Sequence, residues 1–254
     1  MFTLDDIPPA LRRFAPPGAS LTYPKQGMTS EVAFVDGPRP CVVKRCHDAR
    51  YLDWLTREQT ALQALADSPL PVPRLLASHA GEGERWLVMS RLDGHALWPD
   101  MLDAGAERRA ALLRRVGALL KQLHSTPVPP SLRSTSSWLD RILAQSLQNL
   151  AWCDGNAALL EDLHRRRPAP VPEVLIHGDL ALDNVLVAAG DVLSLIDWSG
   201  GGQGDPRIDV AFALQTEPEF ALGEMERAAF YEGYGGTPLD SATQQWFTDL
   251  NEFF

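Results

Sequence analysis

The chain has 254 residues, of which 45% are hydrophobic and 22% charged, and this composition is typical of a folded protein rather than a disordered or collagenous one. Its formal net charge of −10 argues against nucleic acid or an anionic membrane surface as a partner. No uncharged apolar run approaches the ~18 residues of a membrane span, and the start of the sequence lacks the basic and apolar stretches of a signal peptide. Three cysteines without a CxxC pair indicate free thiols, so we expect a cytoplasmic protein.

The first 90 residues predict a strand-rich lobe that contains one helix. Two short segments with strand-forming residues, 31–35 and 41–44, flank Asp36-Gly37-Pro38, which is a sequence typical of hairpins. Apolar residues at helical spacing then predict a helix over 54–65, which ends before a segment with three prolines. Residues 86–89 predict one more short strand before a turn.

After residue 95 the pattern changes to helices. An apolar stripe with i, i+4, i+7 spacing predicts a helix over 112–123, and another helix is predicted from about 138 to 150. Three short apolar segments around a polar stretch predict strands at 174–176, 185–187 and 192–196. The remainder of the sequence predicts helices.

These elements predict an α+β fold of two lobes: a β-rich N-terminal lobe with one helix over 1–89, a hinge over 90–94, and a mainly helical C-terminal lobe over 95–254. The acidic excess lies in the C-terminal lobe. Residues 1–90 hold ten basic and ten acidic residues, whereas the sequence from 168 onward holds two basic and 15 acidic residues. This distribution favours a cationic partner, with an acidic solubility surface as the alternative.

The clearest functional signal is the segment His177-Gly178-Asp179-Leu180-Ala181-Leu182-Asp183-Asn184 between two predicted strands. Asp197 follows Asn184 by thirteen residues, at the end of the next predicted strand. The oxygen-bearing side chains of Asp179, Asn184 and Asp197 lie on loops beside strands and suit a hard cation such as Mg²⁺. The carboxylate that does not bind the cation can accept the proton of an attacking hydroxyl. Kinases divide the work of phosphoryl transfer in this way.

The same segment resembles the catalytic loop of the aminoglycoside phosphotransferase and choline kinase group. Ile196-Asp197-Trp198 resembles the metal-binding motif of these enzymes, and residues 204–211 resemble the GDP-x-x-D-x-A stretch that follows it. The resemblance implies a protein-kinase-like fold and transfer of the γ-phosphate of ATP, with GTP not excluded, to a hydroxyl of a small molecule. It implies that Asp179 is the catalytic base and that Asn184 and Asp197 hold Mg²⁺.

The resemblance extends into the N-terminal lobe. Lys44 corresponds to the strand lysine that contacts the α- and β-phosphates, and Glu58 to the acid that holds this lysine by an ion pair. Two further regions would contact the nucleotide: a phosphate-covering loop with Gly27, Thr29 and Ser30, and a hinge with backbone groups near Ser90 and Leu92 that would bind adenine.

The end of the sequence resembles that of the aminoglycoside 3′-phosphotransferases, in Phe230-Tyr231-Glu232-Gly233-Tyr234-Gly235 and Leu250-Asn251-Glu252-Phe253-Phe254. Asn251 departs from the family pattern because an aspartate is usual there, and the region 151–172, which normally carries an acidic substrate loop, is short. The resemblance implies that acidic groups bind the ammonium groups of a cationic acceptor, and the candidates are Asp154, Glu161, Asp162, Glu252 and the Phe254 carboxylate.

Several alternatives stay open at this point. The acceptor could be another metabolite or antibiotic, such as a macrolide, homoserine or a choline-like alcohol, and the chain could be an inactive nucleotide-binding pseudokinase. A metallohydrolase would need more histidines than the six present, which lack metal-ligand spacing. We interpret His177, Asp205 and Asp209 as residues that shape or brace loops, and His124 as a helix cap or core contact. We expect a monomer or a homodimer.

Overall fold

The computed structural model describes residues 1–24, 29–215 and 220–254 as ten β-strands and eight α-helices with several 3₁₀ turns. The chain divides into two compact units. The first consists of Met1–Gly94 and Ser194–Gly200, and the second of His95–Leu193 and Gly201–Phe254. Among the helices described, none combines the length and the apolar character that crossing a membrane requires.

The first unit contains one sheet and one α-helix. Its elements are β1 (Ser20–Thr22), β2 (Glu31–Asp36), β3 (Cys41–Cys46), α1 (Leu52–Ala64), β4 (Leu75–Gly81) and β5 (Glu84–Ser90). The sheet is antiparallel with the strand order β1-β2-β3-β5-β4, and α1 lies between β3 and β4 in the sequence. The predicted hairpin, the predicted helix and the predicted strand at 86–89 are all confirmed, whereas β1 and β4 were not predicted.

A hydrophobic cluster forms the core on one face of this sheet. The N-terminal segment, with 3₁₀ turns at Leu4–Asp6 and Pro9–Phe14, contributes the buried side chain of Phe2 to this cluster. Phe2 packs edge-to-face on Trp86 of β5 with 4.9 Å between the ring centroids. The segment before β1 is therefore part of the fold of the first unit and covers one face of its sheet.

The second unit is mainly helical. The helices predicted at 112–123 and 138–150 and all three predicted short strands are confirmed, and a short strand near residue 203 was not predicted. The elements are β6 (His95–Ala96), α2 (Leu97–Asp103), α3 (Ala106–Ser125), α4 (Trp138–Asn149), α5 (Ala157–Arg165), β7 (Val174–Ile176), β8 (Val185–Ala188), β9 (Val192–Leu195, where the chain passes into the first unit), β10 (Gly202–Gly204), α6 (Arg207–Ala213), α7 (Glu224–Tyr234) and α8 (Ser241–Asn251).

Local sequence sets the ends of several of these helices. Asn156 caps α5 by accepting a hydrogen bond from the backbone N–H of Leu159 at 3.0 Å, and Asp240 caps α8 in the same way from Thr243 at 2.7 Å. Gly235 ends α7 in the left-handed region, with φ of 75°, where glycine carries no steric penalty. Each of these residues stops or starts its helix without help from distant parts of the chain.

Helices α3 and α7 approach each other backbone to backbone. A Cβ atom on Gly117 of α3 would overlap the carbonyl oxygen of Phe230, and one on Gly233 of α7 would overlap the carbonyl oxygen of Arg114. Only glycine fits at this crossing. A separate hydrophobic cluster, built mainly from α4, α5, α6 and α8, forms the core around the C-terminal helix.

Candidate active site

Lys44 in the first unit is held between acidic side chains. It lies on β3 with 8% of its surface exposed, and its ammonium group contacts Oε1 and Oε2 of Glu58 on α1 at 2.8 Å and 3.0 Å. Glu58 is 3% exposed. The ammonium group also contacts Oδ1 of Asp197. Because buried charges need partners, this geometry fixes the lysine at one position.

Asp197 has an unusual backbone conformation. Its φ angle of 62° lies in the left-handed region, which aspartate tolerates better than most residues but which still carries strain. The next residue, Trp198, is fully buried, and its indole N–H donates to the carbonyl oxygen of Leu195 at 3.3 Å. Helix α1 contacts the turn Trp198–Gly200. The turn thus presents Asp197 to Lys44 while Trp198 anchors it in the unit.

The donor set around Lys44 fits a divalent cation. Two carboxylates surround one ammonium group, so the cluster carries a surplus of negative charge. The Asp197 side chain is 42% exposed and can be reached from solvent. Mg²⁺ prefers oxygen ligands and is usually held by one or two carboxylates together with substrate phosphates. The residues present therefore suit Mg²⁺ at Asp197.

The other predicted nucleotide contacts lie in the first unit or outside the described residues. Gly27 lies outside them. Thr29 and Ser30 are partly buried and directly precede β2. The Ser90 N–H donates to the Arg74 carbonyl oxygen at 2.8 Å, so an adenine contact through this N–H would require that bond to break. Leu92 lines an open cavity of about 430 Å³ beyond the end of β5.

The segment from His177 to Asn184 lies in the second unit, directly after β7. The side-chain Nδ2 of Asn184 donates to the carbonyl oxygen of Asp179 at 2.8 Å and to its Oδ2 at 3.0 Å. The bonds orient the Asp179 carboxylate, which is partly exposed, and leave Oδ1 of Asn184 as the acceptor atom of that amide. The predicted base, Asp179, and one of the predicted metal ligands, Asn184, thus contact each other in this loop.

A fully buried carboxylate supports the backbone of the same loop. Asp209 of α6 is 0% exposed and accepts hydrogen bonds from the backbone N–H groups of His177 at 2.8 Å and Gly178 at 2.7 Å. Gly178 has a φ of 79°, which a residue with a side chain would adopt only under strain. His124 also contacts Asp209. The interpretation of Asp209 as a bracing residue is confirmed.

Two of the predicted acceptor-binding residues are close in space because the last residues are anchored. The N–H of Gly155, next to exposed Asp154, donates to the carbonyl oxygen of Glu252 at 2.7 Å. Asn149, 6% exposed, donates from Nδ2 to the carbonyl oxygen of Phe253 at 2.7 Å. Phe253 is fully buried, and Phe254 is 38% exposed.

Asp162 has partners within the protein, which the sequence did not indicate. Arg165 and Arg166 both form ion pairs with it, and Arg166 also contacts Asp249 on α8 at 2.6 Å. The hydrogen bond from Arg166 lowers the pKa of Asp162. Arg166 therefore connects α5 to α8 through ion pairs with both helices. Glu161 is exposed on α5.

Comparison of the sequence with known protein families identifies the family of the chain. The Phosphotransferase enzyme family matches residues 21–246. The chain belongs to this family. An aminoglycoside 3′-phosphotransferase of Streptomyces fradiae is 30% identical over 227 residues, which cover 79% of this chain and 80% of the relative. Another, from Escherichia coli, is 24% identical over 217 residues, covering 80% and 78% respectively.

Solved structures show the same likeness. The crystal structure of an aminoglycoside 3′-phosphotransferase of type VIII matches with a TM-score of 0.79 and 25% identity over 99% of both chains. An aminoglycoside phosphotransferase of Streptomyces rimosus, solved with ADP and streptomycin, has a TM-score of 0.73 and 20% identity over 96% of this chain and 95% of its own. The resemblance stated from the sequence is confirmed, and the fold is the predicted protein-kinase-like α+β fold.

Because the chain belongs to this family, it is a phosphotransferase, and the alternative interpretation as a metallohydrolase is not supported. That alternative requires a cluster of metal-binding side chains. Within residues 1–24, 29–215 and 220–254, no three His, Cys, Asp or Glu side chains form such a group. The structure instead pairs Lys44 with Glu58, and Asp179 with Asn184.

Sequence reasoning missed the residues that hold the functional groups in place. Asn149 and Gly155 contact the last residues of the chain through a side-chain amide and a backbone N–H, neither of which has a sequence signature. A Cβ atom on Gly155 would overlap the Phe253 ring, and this requirement for glycine is visible only in the structure. The role of Asp209 was visible only from its place in the motif at 204–211.

Proposed function

We propose that this phosphotransferase transfers the γ-phosphate of ATP to a hydroxyl of an aminoglycoside. The observation that carries the proposal is the buried Lys44, held by Glu58 and Asp197 in the nucleotide-binding unit of a chain that belongs to this family. The names of the relatives favour the 3′-hydroxyl as the acceptor group. The neighbour bound to ADP supports a nucleotide as the donor.

In this proposal Lys44 binds the α- and β-phosphates. The two hydrogen bonds to Glu58 hold the ammonium group in one orientation, so the phosphates are positioned before the acceptor binds. Gly27, Thr29 and Ser30 would cover the phosphates. Backbone groups near Ser90 and Leu92, other than the Ser90 N–H that donates to Arg74, would bind adenine. Mg²⁺ held by Asn184 and Asp197 would neutralise the charge on the phosphate oxygens.

Asp179 is proposed as the catalytic base. Asn184 binds one of its carboxylate oxygens and its backbone, so the other oxygen keeps a fixed direction in which to accept the proton of the attacking hydroxyl. Base catalysis of this kind contributes typically 10²–10⁴-fold, an order-of-magnitude figure. The backbone hydrogen bonds to Asp209 keep the loop in place during the reaction.

A set of weak ion pairs would hold the cationic acceptor. Asp154, Glu161, Glu252 and Phe254 are exposed on the second unit. Asp162 belongs to the same proposed set, although its carboxylate already has two arginine partners and would contribute least. Each exposed ion pair contributes only ~0.2–1 kcal/mol, so several must act together.

The experiment is a turnover assay with matched acceptors. Kanamycin and a 3′-deoxy analogue of kanamycin differ in the hydroxyl that the proposal names, so kanamycin should be phosphorylated and the analogue should not. Parallel reactions with ATP and GTP identify the donor, and EDTA with Mg²⁺ add-back tests the metal. If aminoglycosides are not phosphorylated while a neutral alcohol is, the acidic groups have only a solubility role and the acceptor assignment is wrong.

The proposal also includes the cellular location and the oligomeric state of the enzyme. We propose that the enzyme acts in the cytoplasm, where ATP is available and where free thiols such as Cys41, Cys46 and Cys153 stay reduced. We expect small molecules, and neither nucleic acid nor a membrane, as partners of a monomer or homodimer. Size-exclusion chromatography with light scattering distinguishes the two assembly states.

A further inference from the structure

Three side chains of the second unit, none of which contacts a substrate in the proposed reaction, form one connected group. Nε2 of His124, at the end of α3, lies 3.0 Å from Oδ2 of Asp209 on α6. Nδ1 of the same ring lies 2.9 Å from the hydroxyl of Tyr234 on α7, and the two rings pack edge-to-face with centroids 5.6 Å apart. The His124 side chain is only 8% exposed. The group therefore connects three helices inside the unit.

The direction of each hydrogen bond in this group follows from simple chemistry. Asp209 already accepts the N–H groups of His177 and Gly178, and an ionised carboxylate can only accept. Nε2 of His124 must therefore carry a hydrogen atom and donate it. When the ring carries a single N–H, Nδ1 is the acceptor and the Tyr234 hydroxyl is the donor. Burial and the charge of Asp209 raise the pKa of Tyr234 to about 12, so this hydroxyl keeps its proton.

The position of Tyr234 is set by the crossing of α3 and α7. The two helices meet at Gly117 and Gly233, where any side chain would overlap the opposite backbone. Tyr234 directly follows Gly233, and His124 lies two turns after Gly117 on the other helix. Because the backbones cannot move closer or exchange register, the hydroxyl of Tyr234 is held at the His124 ring.

We infer that Tyr234 is a positioning residue for phosphoryl transfer, because it fixes the His124 ring and so the Asp209 carboxylate that holds the loop backbone beside Asp179. The inference rests on the proposed role of Asp179 as the base. Tyr234 touches neither nucleotide nor acceptor in this scheme. Its effect reaches the base through one imidazole ring, one carboxylate and two backbone N–H groups. A misplacement of ~1 Å in such a loop can lower the rate by about a hundredfold, so even a small loosening should be measurable.

The test compares two tyrosines of the same helix. Tyr234→Phe removes the hydroxyl that binds His124. Tyr231→Phe is the matched control, since Tyr231 lies one turn earlier on α7, packs edge-to-face on Phe230, and uses its hydroxyl to accept a hydrogen bond from the N–H of Leu239 at 3.0 Å. Both variants lose one bound hydroxyl, and only one of them loses the connection to Asp209.

Two measurements on the full chain test whether Tyr234 positions the loop that carries Asp179. The first is amide hydrogen exchange at His177 and Gly178, which needs no acceptor. The second is steady-state turnover. Tyr234→Phe should speed exchange at both amides and lower kcat by about three- to tenfold, with KM for ATP and for the acceptor within about twofold of the wild type. Tyr231→Phe should change neither measurement while losing a similar amount of thermal stability.

The inference is overturned if Tyr234→Phe leaves both exchange and kcat unchanged, or if Tyr231→Phe lowers kcat by the same factor. An unchanged kcat together with faster exchange also overturns it, because the loop would then be looser without consequence for the base. If no aminoglycoside is turned over by the wild type, the proposed function fails, and the exchange comparison still shows whether Tyr234 holds the loop.

Discussion

Replacing Asn149 by leucine should weaken binding of the acceptor while sparing that of ATP. Leucine has the same number of side-chain heavy atoms as asparagine, so the shape is kept and the donor to the Phe253 carbonyl oxygen is lost. Leaving a buried carbonyl group without its donor costs about 1–3 kcal/mol. The last residues would then be held by the buried Phe253 ring and by the bond between Gly155 and Glu252.

The expected change in the acceptor KM depends on the net free energy that holds the last three residues in place, and this free energy is small. Burying the Phe253 side chain contributes about 1.5–3 kcal/mol, and each of the two hydrogen bonds about 1 kcal/mol. Ordering three residues costs about 3–6 kcal/mol in backbone entropy. The terms nearly cancel, so a loss of ~1.4 kcal/mol should raise the ratio of displaced to anchored Glu252 about tenfold and lower the anchored fraction from about one half to about one tenth. The acceptor KM should therefore rise by up to about fivefold.

Initial-rate kinetics with kanamycin as the varied acceptor measure the effect, and thermal unfolding is recorded in parallel. We expect KM for ATP to change by less than about twofold. Ser146→Ala is the control, because Ser146 is buried on the same helix and its hydroxyl donates to the Ile142 carbonyl oxygen at 3.0 Å rather than to the last residues. The reasoning is refuted if Asn149→Leu lowers stability but not acceptor affinity, or if Ser146→Ala raises the acceptor KM equally.

Three further predictions concern the phosphoryl-transfer residues. Asp179→Asn keeps the shape but cannot accept a proton, so kcat should fall by about 10²–10⁴ while Mg-ATP still binds with normal affinity by calorimetry. Asp197→Ala should weaken nucleotide binding in Mg²⁺ more than Asn184→Ala, because a carboxylate is the stronger ligand; equal losses in a Mg²⁺ titration would argue against this assignment. Glu58→Gln removes the charge that holds Lys44, so KM for ATP should rise, and an unchanged KM would show that Asp197 alone positions the lysine.

The parts of the fold that could be predicted are those with a strong local pattern. The stripe of leucines in α3 and the hairpin signal between β2 and β3 each specify an element without help from the rest of the chain. Strand β4 was missed because Leu75–Gly81 contains Ser, His, Ala and Gly with only partial burial, and its pairing with β5 decides its conformation. Local sequence propensity is a poor predictor of a strand whose conformation depends on pairing with a neighbouring strand.

The candidate site divides in a similar way. Asp179, Asn184 and Asp197 could be predicted as site residues because their spacing along the chain singles them out, and Lys44 pairs with Glu58 as expected. The partners of Asp162 depend on contacts between α5 and α8, which no spacing rule reveals. Residues that bind substrates have motifs, whereas residues that hold the site together are recognised only from their contacts.

The assignment of Ser194–Gly200 to the first unit limits how the enzyme can be divided into fragments. A fragment that ends at Gly94 would contain Lys44 and Glu58 but not Asp197, and α1 would lose its contact with the buried Trp198. The exposed apolar surface would make such a fragment prone to aggregation. A split reporter built from this protein should therefore be cut elsewhere, because a cut at the hinge places the lysine and one of its two carboxylate partners on different polypeptides.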